Sequence, residues 1–274
     1  MPMTRRHLAA SLAALPLAAA PGPALAADRG RGGTRRRVVH IAGDSTAAPK
    51  TAGAAPETGW GMALPFFLTP RLTVANHAVN GRSSRSFVEE GRLDAIAGVL
   101  RADDVLLVQF GHNDAKDDER HTDPWTSYPD YLRRYVRTAR EHGARPVLLT
   151  SVERRRFDAH GTAVPTHGEY PAAVRALAAE EKVPLVDVQA ASLARWQELG
   201  PEGTEELFLW LEPGEAPGHP DGVRDNTHFR PAGAIEVART VARGLRELGA
   251  LAPFDVRRLE DPVPPEWITW PAAG

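Results

Sequence analysis

Two short stretches of the chain carry side chains that could act together in nucleophilic catalysis. Gly43-Asp44-Ser45 ends an apolar run and places a serine on a turn, while Asp225 and His228 lie three residues apart before the last helical pattern. A carboxylate this close to an imidazole can fix the ring tautomer, and the second ring nitrogen then faces a nucleophile. Each stretch alone is also typical of ordinary structure, a strand-ending turn or a helix cap.

Composition narrows the kinds of chemistry that the chain can perform. The sequence has 274 residues, a net charge of −2 and no cysteine. The absence of cysteine excludes thiol catalysis and zinc-thiolate sites, and the ten histidines form no close ligand cluster, so we expect no metal. No G-x-G-x-x-G follows the first strand pattern, which argues against a dinucleotide. We expect no cofactor and no nucleic-acid partner.

The amino-terminal residues resemble an export signal. Arg5-Arg6 precede an apolar run from Leu8 to Ala20, and the small residues Ala24-Leu25-Ala26 follow. We interpret residues 1–26 as a cleavable signal, of the twin-arginine or the ordinary secretory type, and residues 27–36 as a flexible leader. The sequence therefore predicts a secreted or extracytoplasmic protein without stable membrane insertion after cleavage.

From residue 37 onward, strand and helix patterns alternate regularly, which predicts a single domain over residues 37–274. The predicted strands are an apolar run ending at Gly43, then Thr73–Val79, Asp104–Phe110, Pro146–Ser151 and Val183–Val188. The predicted helices are Ser86–Leu100, Tyr128–His142, Tyr170–Glu181, Ala190–Leu199 and Pro231–Leu248, with a long loop at 200–225. This alternation predicts a three-layer α/β/α sandwich around five parallel strands, whose carboxyl ends gather ligands.

Four sequence blocks together resemble the SGNH (GDSL-like) hydrolases. They are Gly43-Asp44-Ser45, Asn80-Gly81-Arg82-Ser83, Gly111-His112-Asn113-Asp114 and Asp225-Asn226-Thr227-His228, in that order. Longer matches, among them Thr58-Gly59-Trp60-Gly61 and Phe110-Gly111-His112-Asn113-Asp114, look like the rhamnogalacturonan acetylesterase branch. The resemblance implies a flavodoxin-like fold and an exported esterase that removes acetyl groups from pectin.

The resemblance also implies a role for each matching residue. Ser45 would be the nucleophile, His228 its base and Asp225 the carboxylate that orients the base. The backbone N–H groups of Ser45 and Gly81 and the amide of Asn113 would form the oxyanion hole. Asp44, the acidic residue of the first block, is interpreted as a support of the turn.

Substrate contacts are less well defined by the sequence than the catalytic residues. Arg154, Arg155 and Arg156 follow the fourth strand, where they could bind the carboxylates of galacturonate, and Trp125 could stack on a sugar ring. Exposed charged loops are also typical of solvated surface. The alternatives are a broad carboxylesterase or lipase, an esterase for another glycan such as xylan, and a non-catalytic carbohydrate-binding protein. The oligomeric state is left open.

Overall fold

A computed structural model describes residues 35–272 of the chain. The predicted export signal and most of the leader lie outside these residues, so their assignment and the domain boundaries stay predictions. The strands are β1 Arg37–Gly43, β2 Leu72–Asn76, β3 Val105–Gln109, β4 Arg145–Leu149, β5 Leu185–Val186, β6 Phe208–Leu211 and β7 Val223–Phe229. The α-helices are α1 Trp60–Ala63, α2 Ser84–Glu89, α3 Arg92–Ala97, α4 Ser127–Glu141, α5 Tyr170–Glu181, α6 Val188–Gly203 and α7 Pro231–Glu247.

The main sheet has five parallel strands in the order β2-β1-β3-β4-β5, which confirms the predicted α/β fold. Strand β1 lies between β2 and β3, with Ile41 opposite both Asn76 and Leu107. All five residues of β3 are buried, as expected for a strand covered on both faces. The turns that follow β1 and β3 therefore emerge side by side at the carboxyl edge of the sheet.

Helices cover both faces of the sheet because side chains alternate along each strand. On β3, Val105 and Leu107 belong to the apolar cluster that includes α7, while Leu106 and Val108 belong to the cluster that includes α4. The first cluster also holds the fully buried Trp60. The result is the predicted three-layer sandwich. The loops at the carboxyl edge of the sheet are not covered by these helices and can form a site.

A small second sheet corrects the prediction of a long loop over 200–225. Strands β6 and β7 pair antiparallel, with Leu209 opposite Asp225 and Trp210 opposite Arg224. Asp225 and His228 thus lie on strand β7 and not on a loop. They flank the register shift opposite Phe208/Leu209, where the Asp225 carboxylate accepts the backbone N–H groups of Thr227 and His228. A polar sequence such as Val-Arg-Asp-Asn-Thr-His-Phe is a weak strand signal, because only its partner strand is apolar.

Two further elements differ from their predicted bounds. The helix predicted over Ser86–Leu100 is two short helices, α2 and α3, because Gly91 between them has a φ of 71°. The fifth strand is reduced to Leu185–Val186.

Within residues 35–272, none of the helices has the length and apolar character to cross a membrane.

Candidate active site

Ser45 lies on a tight turn directly after β1, and the side chain of Asp44 holds that turn. The Oδ1 atom of Asp44 accepts hydrogen bonds from the backbone N–H of Thr46 at 2.9 Å and from its hydroxyl at 2.8 Å. Burial alone raises the pKa of Asp44, but His112 beside it and the bonds from Thr46 lower that pKa to about 2. Asp44 is therefore a buried anion that supports the turn beneath the serine.

Ser45, His228 and Asp225 form a continuous line of hydrogen bonds. The Oγ atom of Ser45 lies 2.8 Å from Nε2 of His228, and Nδ1 of the same ring lies 2.7 Å from Oδ2 of Asp225. Oδ1 of Asp225 also accepts the backbone N–H of His228 at 3.0 Å. Ser45 comes from the end of β1 and the other two from β7, so two separate sheets assemble this line.

The ionisation of Asp225 fixes the proton positions in this line. Burial raises its pKa, but the His228 side chain and the backbone N–H groups of His228 and Thr227 outweigh burial and lower the pKa to about 2. An ionised carboxylate only accepts hydrogen bonds, so Nδ1 of His228 carries the proton. Nε2 is then free to accept the hydroxyl proton of Ser45, which is the geometry of a serine nucleophile with its base.

The turn at Gly81 and the turn after β3 lie beside Ser45. Gly81 has a φ of 74°, a conformation that favours glycine, and within residues 35–272 the backbone N–H groups of Ser45 and Gly81 have no protein acceptor. The buried amide of Asn113 donates one N–H to the carbonyl of Arg82 at 3.1 Å and keeps a second one. Three donors of the kind that stabilises an oxyanion are therefore available.

Asp114 joins the two turns that carry these donors. Its carboxylate accepts the backbone N–H of Ser84 at 3.0 Å, the hydroxyl of Ser84, and the hydroxyl of Thr122 at 3.0 Å. Complete burial raises the pKa of Asp114 to about 6, although the bonds from Ser84 and Thr122 act in the opposite direction. This buried carboxyl group and the bond from Asn113 to Arg82 together hold the two turns in position.

The four predicted substrate residues differ in how free their side chains are. Arg155 donates to Thr204, to Pro201 and to Glu205, and its guanidinium stacks on Trp210 at 4.1 Å. These internal contacts disfavour the prediction that Arg155 binds a substrate carboxylate. Its backbone N–H also holds the carbonyl of Asn226 at 2.8 Å, next to Asp225. Arg155 therefore supports β7.

Arg154, Arg156 and Trp125 remain candidates for contact with substrate. Arg154 is half-buried, and its guanidinium lies 3.3 Å from the carbonyl oxygen of His112, the residue before Asn113. Arg156 is exposed. Trp125 is 50% exposed and its indole N–H donates to Glu169 at 2.8 Å, so the ring is held in one orientation with much of its surface in solvent.

Three charged residues near the site were missed by sequence reasoning. Arg120 donates to the carbonyl of Gly81 at 3.2 Å, and Glu57 lies 4.0 Å from Nε2 of His228. Lys50 is 3% exposed and contacts Glu57 at 2.6 Å. The scarcity of lysine, with three in the chain, could have drawn attention to Lys50. No pattern in the sequence placed Lys50 beside Gly81 or His228.

Metal chemistry has no ready donor set in the part of the chain that the structure describes. Among residues 35–272, no group of three or more His, Asp or Glu side chains is arranged to hold a metal ion. The buried pair of His112 and Asp44 lies 3.2 Å apart and serves the turn below Ser45. The site as described is built from organic acid, base and hydrogen-bond donors.

The fold and this arrangement agree with a comparison to known families. Residues 41–234 match the model of the GDSL-like lipase/acylhydrolase family, and the chain belongs to that family. It is accordingly a carboxylic ester hydrolase. The matched range includes Ser45, Gly81, Asn113, Asp225 and His228.

Individual relatives narrow the comparison further. The chain is 48% identical to the rhamnogalacturonan acetylesterase RhgT of Bacillus subtilis, over 77% of this chain and 90% of the relative. It is 42% identical to the probable rhamnogalacturonan acetylesterase YesY of the same organism, over 77% and 93%. The crystal structure of YxiM from Bacillus subtilis superimposes with a TM-score of 0.68 at 28% identity, covering 78% of this chain and 57% of that one. The chain is thus similar to acetylesterases across most of its length.

Proposed function

We propose that the protein removes O-acetyl groups from rhamnogalacturonan or a related pectic polysaccharide. The observation that carries this proposal is the line from Ser45 through His228 to Asp225, with spacings of 2.8 Å and 2.7 Å. The acetyl and pectin assignment is supported by the names of RhgT and YesY, two relatives with more than 40% identity. A non-catalytic carbohydrate-binding role is disfavoured, since a binder has no need for this line.

The proposed reaction has two halves that use the same groups. Nε2 of His228 takes the hydroxyl proton of Ser45 as Oγ attacks the acetyl carbonyl, and the protonated ring then passes that proton to the departing sugar oxygen. Asp225 stabilises the imidazolium. In the second half, Nε2 of His228 takes a proton from a water molecule that attacks the acetyl-serine, and the ring returns that proton to Oγ of Ser45 as acetate leaves. In both steps the N–H groups of Ser45, Gly81 and Asn113 stabilise the oxyanion.

The charges around the site suit an anionic sugar backbone. Arg120 donates three of its five N–H groups, to both carboxylate oxygens of Asp118 and to the carbonyl of Gly81. One N–H remains on each terminal nitrogen and can donate to a carboxylate. Arg154 and Arg156 would add positive charge on the β4 side of the site, and Trp125 an aromatic surface. Galacturonate supplies both a carboxylate and a sugar ring.

We also propose that the protein acts outside the cytoplasm. The support is the amino-terminal sequence, in which Arg5-Arg6, an apolar run and Ala24-Leu25-Ala26 follow the order of an export signal. A polymeric pectic substrate is consistent with an exported enzyme. Expression with the signal intact, followed by amino-terminal sequencing of protein from the medium, should give a chain that begins near Ala27.

The substrate proposal is tested by measuring acetate release from acetylated rhamnogalacturonan, acetylated xylan and p-nitrophenyl acetate. We expect the highest kcat/KM on rhamnogalacturonan, and a loss of at least about 10³-fold in Ser45→Ala and His228→Ala that fold normally. Full activity in either variant would refute the mechanism. A preference for xylan, or activity on long acyl chains without activity on pectin, would refute the substrate assignment.

A further inference from the structure

A buried ion pair lies between the two halves of the candidate site. The side chain of Lys50 is 1% exposed, and its ammonium lies 2.6 Å from Oε1 of Glu57 and 2.7 Å from Oδ1 of Asn80. Asn80 directly precedes Gly81. Glu57 lies 4.0 Å from Nε2 of His228, the same nitrogen that bonds Ser45. The Lys50 ammonium therefore contacts both the turn that carries Gly81 and the carboxylate that lies beside His228.

Two hydrogen bonds fix the loop that carries Glu57 to other parts of the molecule. The N–H of Thr58 donates to the carbonyl of Phe229 at 2.8 Å, next to His228. The indole of Trp270 donates to the carbonyl of Glu57 at 2.8 Å, so the carboxy-terminal segment holds the same loop from outside. These bonds hold the backbone at Glu57, and the contact with Lys50 holds its carboxylate near the imidazole.

Burying a lysine is expensive unless its charge is paired and hydrogen-bonded. An ion pair that only stabilised the fold would need no particular position, whereas this pair lies between Gly81 and His228. The proposed catalytic cycle alternates His228 between neutral and charged forms, so the net charge 4.0 Å from the ring affects which form is favoured. Without Lys50, the full negative charge of Glu57 would act on the ring.

We propose that Lys50 and Glu57 are positioning residues, which balance the charge beside His228 and hold the Gly81 turn in register with it. This inference rests on the proposed roles of Ser45 and His228. Glu57 acts through the imidazole, and Lys50 acts through Glu57 and Asn80. The other charged groups around His228 are Asp225 on its own strand and Arg154 from the loop after β4, whose charge acts on Asp225.

The pH profile of kcat/KM for p-nitrophenyl acetate tests this inference, because the substrate is uncharged and the acid limb reports the pKa of the free base. Glu57→Gln removes a negative charge 4.0 Å from the ring and should move the acid limb to lower pH by about 0.5–1 unit. Lys50→Met leaves the charge of Glu57 uncompensated and should move the limb to higher pH. Opposite shifts are not expected from a merely structural role.

The double variant Glu57→Gln with Lys50→Met should return the acid limb close to its original position. At the pH optimum, kcat should fall more in Lys50→Met than in Glu57→Gln, because only the first releases Asn80. Lys182→Met and Glu266→Gln, which change exposed residues, are the matched controls and should leave the profile unchanged.

Two results would overturn the inference: no shift in either single variant, or shifts in the same direction. If Lys50→Met does not fold, Glu57→Gln alone tests the inference, because Glu57 is partly exposed and tolerates substitution more readily. An acid limb that does not move to lower pH in Glu57→Gln would then refute the inference. Ser45→Ala separates this inference from the proposed function. Full activity in Ser45→Ala refutes the proposed mechanism, whereas an inactive Ser45→Ala together with unshifted profiles refutes only the role of the ion pair.

Discussion

The side chains around Ser45 differ mainly in whether their hydrogen-bonding groups are already used. The Oδ1 atom of Asp44 and the guanidinium of Arg155 bond to the protein itself, so these two residues support turns and strands. Asn113 and Arg120 each spend part on the protein and keep N–H groups that face no protein acceptor. A side chain that is held in place by one hydrogen bond and has another N–H without an acceptor is well suited to bind a reacting or charged atom of a substrate.

Arg120→Gln should weaken binding of an anionic substrate more than it weakens the chemistry. We expect KM for acetylated rhamnogalacturonan oligosaccharides to rise about tenfold, the effect of losing a charge-assisted contact, with less than a threefold change in kcat/KM for p-nitrophenyl acetate. Steady-state kinetics on both substrates measure this. Arg137→Gln, an exposed arginine of α4, is the control. Equal losses on both substrates would mean that Arg120 acts only through the Gly81 turn.

At the level of elements, the site is a junction between the main sheet and the β6–β7 pair. Helix α7 begins directly after β7 and packs its amino-terminal turn against the end of that pair. At Gly233 a Cβ would overlap the carbonyl of Leu207 and approach the ring of Phe229, so only glycine allows this close contact. The distance from His228 to Ser45 therefore depends on how tightly α7 packs against the pair.

Gly233→Ala should separate α7 from the β6–β7 pair and displace His228 from Ser45. We expect a loss of about 1–3 kcal/mol in the free energy of unfolding from overpacking, together with a fall in kcat of at least tenfold. Urea denaturation and steady-state kinetics measure the two effects. Gly98→Ala is the matched control, since its nearest atoms lie at 3.6 Å and its backbone is helical. Unchanged kcat in Gly233→Ala would contradict this coupling.

Over the whole molecule, buried carboxyl groups make the stability depend on pH in two opposite ways. Asp44 and Asp225 have pKa values lowered to about 2, so the stability they contribute is present above about pH 4 and is lost as the pH falls toward 2. Asp114 has a pKa raised to about 6, so the folded state binds more protons than the unfolded chain between about pH 4 and 6. Its contribution therefore favours the folded state at low pH and is lost as the pH rises through 6.

Asp114→Asn should remove the part of the pH dependence that Asp114 contributes. The free energy of unfolding at pH 7 minus that at pH 4 should become more positive than in the wild type, by about 2 kcal/mol. Urea unfolding at both pH values measures this difference, in which changes common to both pH values cancel. Asp221→Asn, an exposed aspartate, is the control. An unchanged difference in Asp114→Asn would show that Asp114 is ionised throughout this range.

Patterns within the sequence were enough to predict the layered fold and to single out Ser45 and His228. Hydrophobic periodicity is a local property, so the runs that became β1 and β3 and the helix Tyr170–Glu181 could be recognised from their own residues. Ser45 and His228 were found because their blocks follow a fixed order along the chain. The structure brings these two side chains to 2.8 Å, while their catalytic roles stay proposals.

The other side chains that meet at that edge could not be predicted from the sequence, because they come from distant parts of the chain. Arg120 and Gly81 are 39 residues apart, and Trp270 and Glu57 are 213 apart, so no local pattern links either pair. Strand β7 is equally nonlocal, because its polar residues become a strand only by pairing with β6. Contacts between single side chains that are far apart in the chain produce no periodic pattern in the sequence. Such contacts determine which charged groups lie near His228.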